Sequence, residues 1–155
     1  MSKIITAGNP ILKMKAEPVT IFNKKLKALL EDMKETLYEA DGVGLAAPQI
    51  AVSKRVFVAD DGHGFCEYIN PEWEPLSDEK ALMNEGCLSV PGLFGDVERY
   101  THVIVRYQDR HGKKKEKKAE GLLAQCIQHE TDHLNGILFI EKAVSLHKAP
   151  VKEEE

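Results

Sequence analysis

Gly121-Leu122-Leu123-Ala124-Gln125-Cys126-Ile127-Gln128-His129-Glu130-Thr131-Asp132-His133-Leu134-Asn135-Gly136 is the stretch on which the fold of this chain turns. Leu122, Leu123, Cys126, Ile127 and Leu134 mark an apolar side at helical spacing, and Asn135-Gly136 supplies a stop. The pattern predicts a helix that starts just after Gly121. Inside it stands His129-Glu130-Thr131-Asp132-His133, an H-E-x-x-H motif. Residues four apart on a helix share one face, with Cβ atoms about 6 Å apart, so both imidazoles can reach one metal ion. Glu130 then lies beside the ion without binding it, placed to take a proton from a water that the ion activates. The helix therefore predicts a metal-dependent hydrolase.

Two histidines leave a catalytic site one protein ligand short. Downstream, Glu141 and His147 are available, but neither stands at the spacing of the extended metalloprotease signatures. Upstream lies Glu85-Gly86-Cys87-Leu88-Ser89, a cysteine flanked by a glycine and small polar residues. Cys126 is a rival on the helix itself, although it belongs to the apolar set with Leu122 and Leu123 and reads as core. Ligand type alone, one thiolate with two imidazoles, suits zinc.

Outward from this helix, the first twenty residues read as irregular structure, punctuated by Gly8, Pro10 and Pro18. Asn23 is a candidate N-cap for a long helix. Leu26, Leu29, Leu30, Met33 and Leu37 follow at helical spacing, with an end expected near Asp41-Gly42. Gly42 to Gln49 is expected to be a loop. Arg55 to Ala59 reads as a strand, as does Cys66 to Ile69, stopped by Asn70-Pro71. Val103 to Tyr107 is a further strand, and Asp109-Arg110-His111-Gly112 looks like a turn into a lysine-rich strand from about Lys114 to Ala119. Strands between an early helix and a late one give an α+β fold: mixed or antiparallel strands packed around the C-terminal metal-binding helix, with a long N-terminal helix. Residues 1–147 are expected to form a single catalytic domain, and the acidic tail 148–155 to be disordered.

Composition excludes other classes. At 155 residues the chain can bury one sizeable core. Its apolar runs are short and broken by charge, so no membrane span is expected, and no secretory signal is evident at the N-terminus. The expected location is cytoplasmic. Three cysteines cannot all pair within one chain. A net charge of −4 argues against dedicated nucleic-acid binding, and the basic run Arg110 to Lys118 reads as a solvated hairpin.

Three segments resemble the signature motifs of the peptide deformylases, in the same order and at similar separations. They are Gly42-Val43-Gly44-Leu45-Ala46-Ala47-Pro48-Gln49, Glu85-Gly86-Cys87-Leu88-Ser89 and Gln128-His129-Glu130-Thr131-Asp132-His133. The likeness extends to Gly8-Asn9-Pro10-Ile11-Leu12 and Glu120-Gly121-Leu122-Leu123-Ala124, and spans the chain to about Lys142. The resemblance implies a metal held by Cys87, His129 and His133, with one ferrous ion per chain that zinc, nickel or cobalt can replace. It implies removal of the formyl group from the N-terminal formylmethionine of nascent polypeptides, releasing formate. Glu130 is then the general base and acid, while the Gln49 side-chain amide and the Leu88 backbone N–H steady the oxyanion. Val43, Gly44, Met83, Glu85, Leu122 and Cys126, beside His129, become candidates for the substrate site. A monomer in transient proximity to the ribosome is expected.

Some family members carry a basic residue a few positions after the cysteine motif, where this chain has Leu93-Phe94. Asp132 falls outside the ligand set and is a candidate partner for Arg99. Two rival functions are a peptidase with a third ligand other than Cys87, and a catalytically silent relative that has lost its base or oxyanion donor. The chain keeps both Glu130 and Gln49.

Overall fold

The computed structural model describes residues 2–148. Its helices are α1 (Lys24–Glu39) and α2 (Gly121–Leu134). Its strands are β1 (Gly44–Ala46), β2 (Val56–Asp60), β3 (Phe65–Pro75), β4 (Lys80–Cys87), β5 (Val90–Tyr100), β6 (His102–Gln108), β7 (Lys114–Glu120) and β8 (Ser145–Lys148). They form two antiparallel sheets, one ordered β1-β2-β3-β6-β7 and the other β4-β5-β8. The fold is α+β.

The apolar run of β2 explains how the larger sheet is covered. Val56 and Val58 pack with Leu26, Leu30, Met33 and Leu37 of α1, whereas Phe57 and Ala59 pack with Ala124, Cys126, Ile127 and Leu134 of α2. Successive side chains of a strand point to opposite faces, so a strand buried on both must be apolar throughout. Burying each large apolar side chain of this kind contributes about 1.5–3 kcal/mol. A third cluster, Leu12, Val90, Val97, Leu138 and Phe139, lies against the smaller sheet.

α1 begins where the sequence places its cap: the Asn23 side chain accepts from the Leu26 N–H at 3.2 Å. α2 ends at Asn135 and Gly136, and Gly136 is obligatory there. Its φ is 75°, and a Cβ would lie 2.4 Å from the Lys13 carbonyl oxygen.

Four expectations need correction. β3 does not stop at Asn70-Pro71 but runs on to Pro75 through a bulge between Ile69 and Glu72. Asn70 takes a left-handed φ of 51°, and its side chain bonds both backbone groups of Val19 and the Gln108 amide, which holds the bulge and accommodates the proline. The segment Gly42 to Gln49 is not all loop, because Gly44–Ala46 pairs with Phe57–Ala59. The hairpin of β4 and β5 was not anticipated. β4 is exposed along the face of Lys80, Leu82, Asn84 and Gly86, and on its other face the one buried position holds Glu85, so its apolar residues do not alternate with burial. Finally, Lys148 is ordered at the end of β8, where it pairs with Leu93 of β5; residues 149–155 of the expected tail lie outside the described residues.

Candidate metal centre

Six consecutive polar residues of α2, Gln128 to His133, are buried. Buried polar groups need partners, so tracing those partners locates the site. Gln128 clamps the Tyr100 backbone, accepting from its N–H at 2.9 Å and donating to its carbonyl at 2.8 Å. Thr131 donates to the Ile127 carbonyl at 2.6 Å. Asp132 accepts from Arg99 Nη1 at 2.8 Å and from Lys142 Nζ at 3.0 Å. His129 Nδ1 bonds Glu85 Oε1 at 2.8 Å. Two buried atoms of this run have no partner among the described residues, Glu130 Oε1 and His133 Nδ1.

The anticipated ligands come together here. The rings of His129 and His133 lie 5.0 Å apart, and Cys87 Sγ stands 3.2 Å from His133 Nε2. The donor atoms of Cys87, His129 and His133 all fall within 4.8 Å of one another. Donors around a tetrahedral ion are separated by about 3.5 Å, so the set can close on one ion with small adjustments. Cys87 ends β4 where the register shifts after Gly86, which turns the thiol toward α2. Because Glu85 engages Nδ1 of His129, Nε2 is left as the ring's donor to an ion.

The electrostatics favour a cation at this point. Burial alone would lower His129, yet Cys87, Glu130 and Glu85 push it up to about 10. That negative field draws a proton in the metal-free chain and would equally draw a metal ion. His133 is driven well below its ordinary value by burial and by the positive charges of His129 and Arg99, which keeps its imidazole neutral. Burial pushes Glu130 up to about 7, a value suited to exchanging protons near neutrality. Gly44 makes room for this carboxylate: a Cβ there would lie 2.7 Å from Glu130 Oε2 and 2.6 Å from Cys126 Sγ.

Behind the ligands runs a buried ionic chain. Arg99 donates twice to Glu85, at 2.7 and 2.8 Å, and once to Asp132. Burial would raise Glu85, but the hydrogen bonds from Arg99 and His129 hold it down at about 2. Glu85 lines the cleft described below, with its carboxylate committed to Arg99 and His129.

Gln49 is buried, with its amide oriented from both ends. Oε1 accepts from the Ala46 N–H at 2.9 Å, and Nε2 donates to Ser89 Oγ at 3.1 Å and toward Cys87 Sγ at 3.6 Å. Ser89, fully buried, was not singled out by the sequence, and its only signal was its place inside the cysteine motif. A cleft of about 550 Å³ opens beside these groups, lined among others by Val43, Gly44, Gln49, Cys87, Leu88, Leu122, Cys126, His129 and Glu130. Met83 does not line it. Its neighbour Asn84 does, and Met83 shares a strand face with Glu85 one step further from the ligands.

Comparison with known proteins agrees with this geometry. The sequence model of the polypeptide deformylase family matches residues 1–149. The chain is 51% identical to the peptide deformylase of Pelotomaculum thermopropionicum, across 98% of this chain and 97% of that one. It is 52% identical to that of Halothermothrix orenii, across 90% and 91%. Among solved structures, the peptide deformylase of Thermotoga maritima superposes with a TM-score of 0.91 at 45% identity, covering 94% of this chain and 99% of that one. The Synechococcus elongatus peptide deformylase, solved in complex with actinonin, gives 0.89 at 40% identity, covering 93% and 79%. Likeness of this extent, in sequence and backbone together, places the chain in the peptide deformylase family, enzymes that remove N-terminal formyl groups.

Proposed function

We propose that this enzyme hydrolyses the formamide of formylmethionyl peptides to formate and a free amine, with one ferrous ion held by Cys87, His129 and His133. Zinc, nickel or cobalt would fit the same donors. A divalent ion at this point supplies Lewis acidity to the water and the formyl carbonyl that meet beside it. Glu130 accepts the proton of the attacking water and returns it to the departing amine. Its burial, its unpartnered Oε1 and its raised pKa of about 7 support that role.

The developing oxyanion requires donors already aimed at it. Gln49 Nε2, fixed beside Cys87, supplies one, and the Leu88 backbone N–H in the hairpin turn supplies another. Gly44 lets the substrate backbone approach closely, and Val43, Leu122 and Cys126 offer apolar surface to the methionine side chain. The substrate is the formylmethionyl end of a nascent polypeptide in the cytoplasm, met by a monomer in passing contact with the ribosome. Among the described residues no helix is long and apolar enough to cross a membrane.

One observation carries the reading: a thiol and two imidazoles from separate elements converge beside a buried glutamate with a free oxygen. The test is formate release from a formylmethionyl peptide by protein loaded with ferrous iron under anaerobic conditions. Turnover by wild type, with a loss of 10²-fold or more in Glu130→Ala, is expected on the order of magnitude for general acid–base catalysis. Absence of turnover by the loaded wild type would overturn the proposal.

A further inference from the structure

The two groups that meet the developing oxyanion come from separate parts of the fold. Gln49 lies in the 3₁₀ turn Ala47–Ile50, which follows β1, and the Leu88 N–H lies in the turn between β4 and β5. β1 and the β4–β5 pair belong to different sheets. Donors act on a transition state only if they are already held at the right separation. One turn must therefore be fixed against the other.

Two links fix them. The first is direct: Gln49 Nε2 donates to Ser89 Oγ at 3.1 Å, and Ser89 has no exposed surface. That bond occupies one of the two amide protons and leaves the other directed toward Cys87 Sγ, 3.6 Å away. The second link is the N-terminal segment. The Ile5 N–H donates to the Gln49 carbonyl and the Ala7 N–H to the Ser89 carbonyl, both at 2.8 Å. One short stretch of backbone thus bonds both turns.

The side chains of this stretch divide in the same way. Ile4 packs with the cluster that holds Ala47, Ile50 and Leu88, whereas Ile5 packs with the cluster that holds Cys87 and Val90. The first residues of a domain are ordered only where something ties them down. Here two of the ties run to the residues that carry or flank the oxyanion donors.

We infer that Ile5, Ala7 and Ser89 are positioning residues for the hydrolysis: the N-terminal segment and the Ser89 hydroxyl together set the Gln49 amide against the Leu88 N–H. The inference rests on the deformylase reading above. Ser89 acts through Gln49, and the Ala7 N–H acts through the turn that carries Leu88.

The experiment measures kcat and KM separately for a formylmethionyl peptide with iron-loaded protein. Ser89→Ala should lower kcat by about 10–10²-fold and leave KM within about twofold. Ser89→Cys, which keeps a weaker acceptor at that place, should recover part of the loss. Ala7→Pro removes the N–H that reaches Ser89 and should also lower kcat. The two variants separate in a Gln49→Ala background. Adding Ser89→Ala there should cost nothing further, while adding Ala7→Pro should still lower kcat through Leu88. A readout apart from turnover is the heteronuclear NMR spectrum of the metal-free protein. In Ser89→Ala the Gln49 side-chain amide resonances should shift and their protons should exchange faster with solvent. Wild-type kcat in both Ser89→Ala and Ala7→Pro, losses from Ser89→Ala and Gln49→Ala that simply multiply, or unmoved Gln49 resonances would overturn this inference alone. No formate from the loaded wild type would remove the deformylase reading and this inference with it.

Discussion

Replacing Arg99 with alanine tests whether the ligand shell is built from behind. The guanidinium is 4% exposed and makes three charge-assisted hydrogen bonds, two to Glu85 and one to Asp132. Removing it leaves two buried carboxylates with reduced compensation. Asp132 keeps Lys142, and Glu85 keeps His129. Breaking a buried ion pair in this way costs about 3–5 kcal/mol. For a domain of this size each kcal/mol lowers the melting temperature by roughly 2–4 °C, so a fall on the order of 6–20 °C is expected. Thermal and urea denaturation of wild type, Arg99→Ala, Asp132→Ala and the double variant would measure both the shift and the free energy. The double variant should lose less than the sum of the two singles, because with Asp132 already replaced the loss of Arg99 strands no charge there. The Arg99→Ala protein should also hold its metal more weakly, since Glu85 is then free to shift away from His129. A melting temperature within about a degree of wild type, or strictly additive losses, would refute the reasoning.

Gly44→Ala should lower formate release by 10²-fold or more and cost about 1–3 kcal/mol, because the added methyl meets both Cys126 Sγ and Glu130 Oε2. Adding Cys126→Ala should restore stability but not activity, which denaturation and kinetics on the pair would separate. Asn70→Ala should cost about 2 kcal/mol by calorimetry, since it removes the side chain that bonds Val19 and Gln108 and leaves a left-handed alanine at the β3 bulge. The Tyr107 phenol is pushed up to about 12, by burial first and then by Cys66. Its folded pKa thus lies above the unfolded value. The stability it contributes is whole below about pH 10 and is lost as pH rises toward 12, a change on the order of 1–2 kcal/mol allowing for solvent at the ring. Denaturation midpoints of Tyr107→Phe should fall less steeply over that interval than those of wild type.

The sequence is legible where burial imposes a pattern. α1 shows itself through Leu26, Leu30, Met33 and Leu37 beneath an asparagine cap, and β2 through a run that must be apolar on both faces. β4 is illegible because its one buried position holds Glu85 while Leu82 lies exposed, and β8 because all four of its residues are exposed. Asn70-Pro71 reads as a stop because the contacts that rescue it come from Val19 and Gln108, far away in the chain. At the site, helical spacing alone makes His129 and His133 a pair, whereas Cys87 needed the family resemblance to be chosen over Cys126. Tertiary structure supplies what spacing does not. It commits Glu85 to Arg99 and His129, leaves Met83 off the cleft lining, and sets Phe94 between Gly86 and His147.

The most direct test of the central claim is formate release from a formylmethionyl peptide as ferrous iron is titrated anaerobically into metal-free protein. The account predicts that turnover rises in proportion to added iron and breaks at one ion per chain, and that Cys87→Ala shows no such break. Turnover by the metal-free protein, or a Cys87→Ala variant that titrates like wild type, would contradict it.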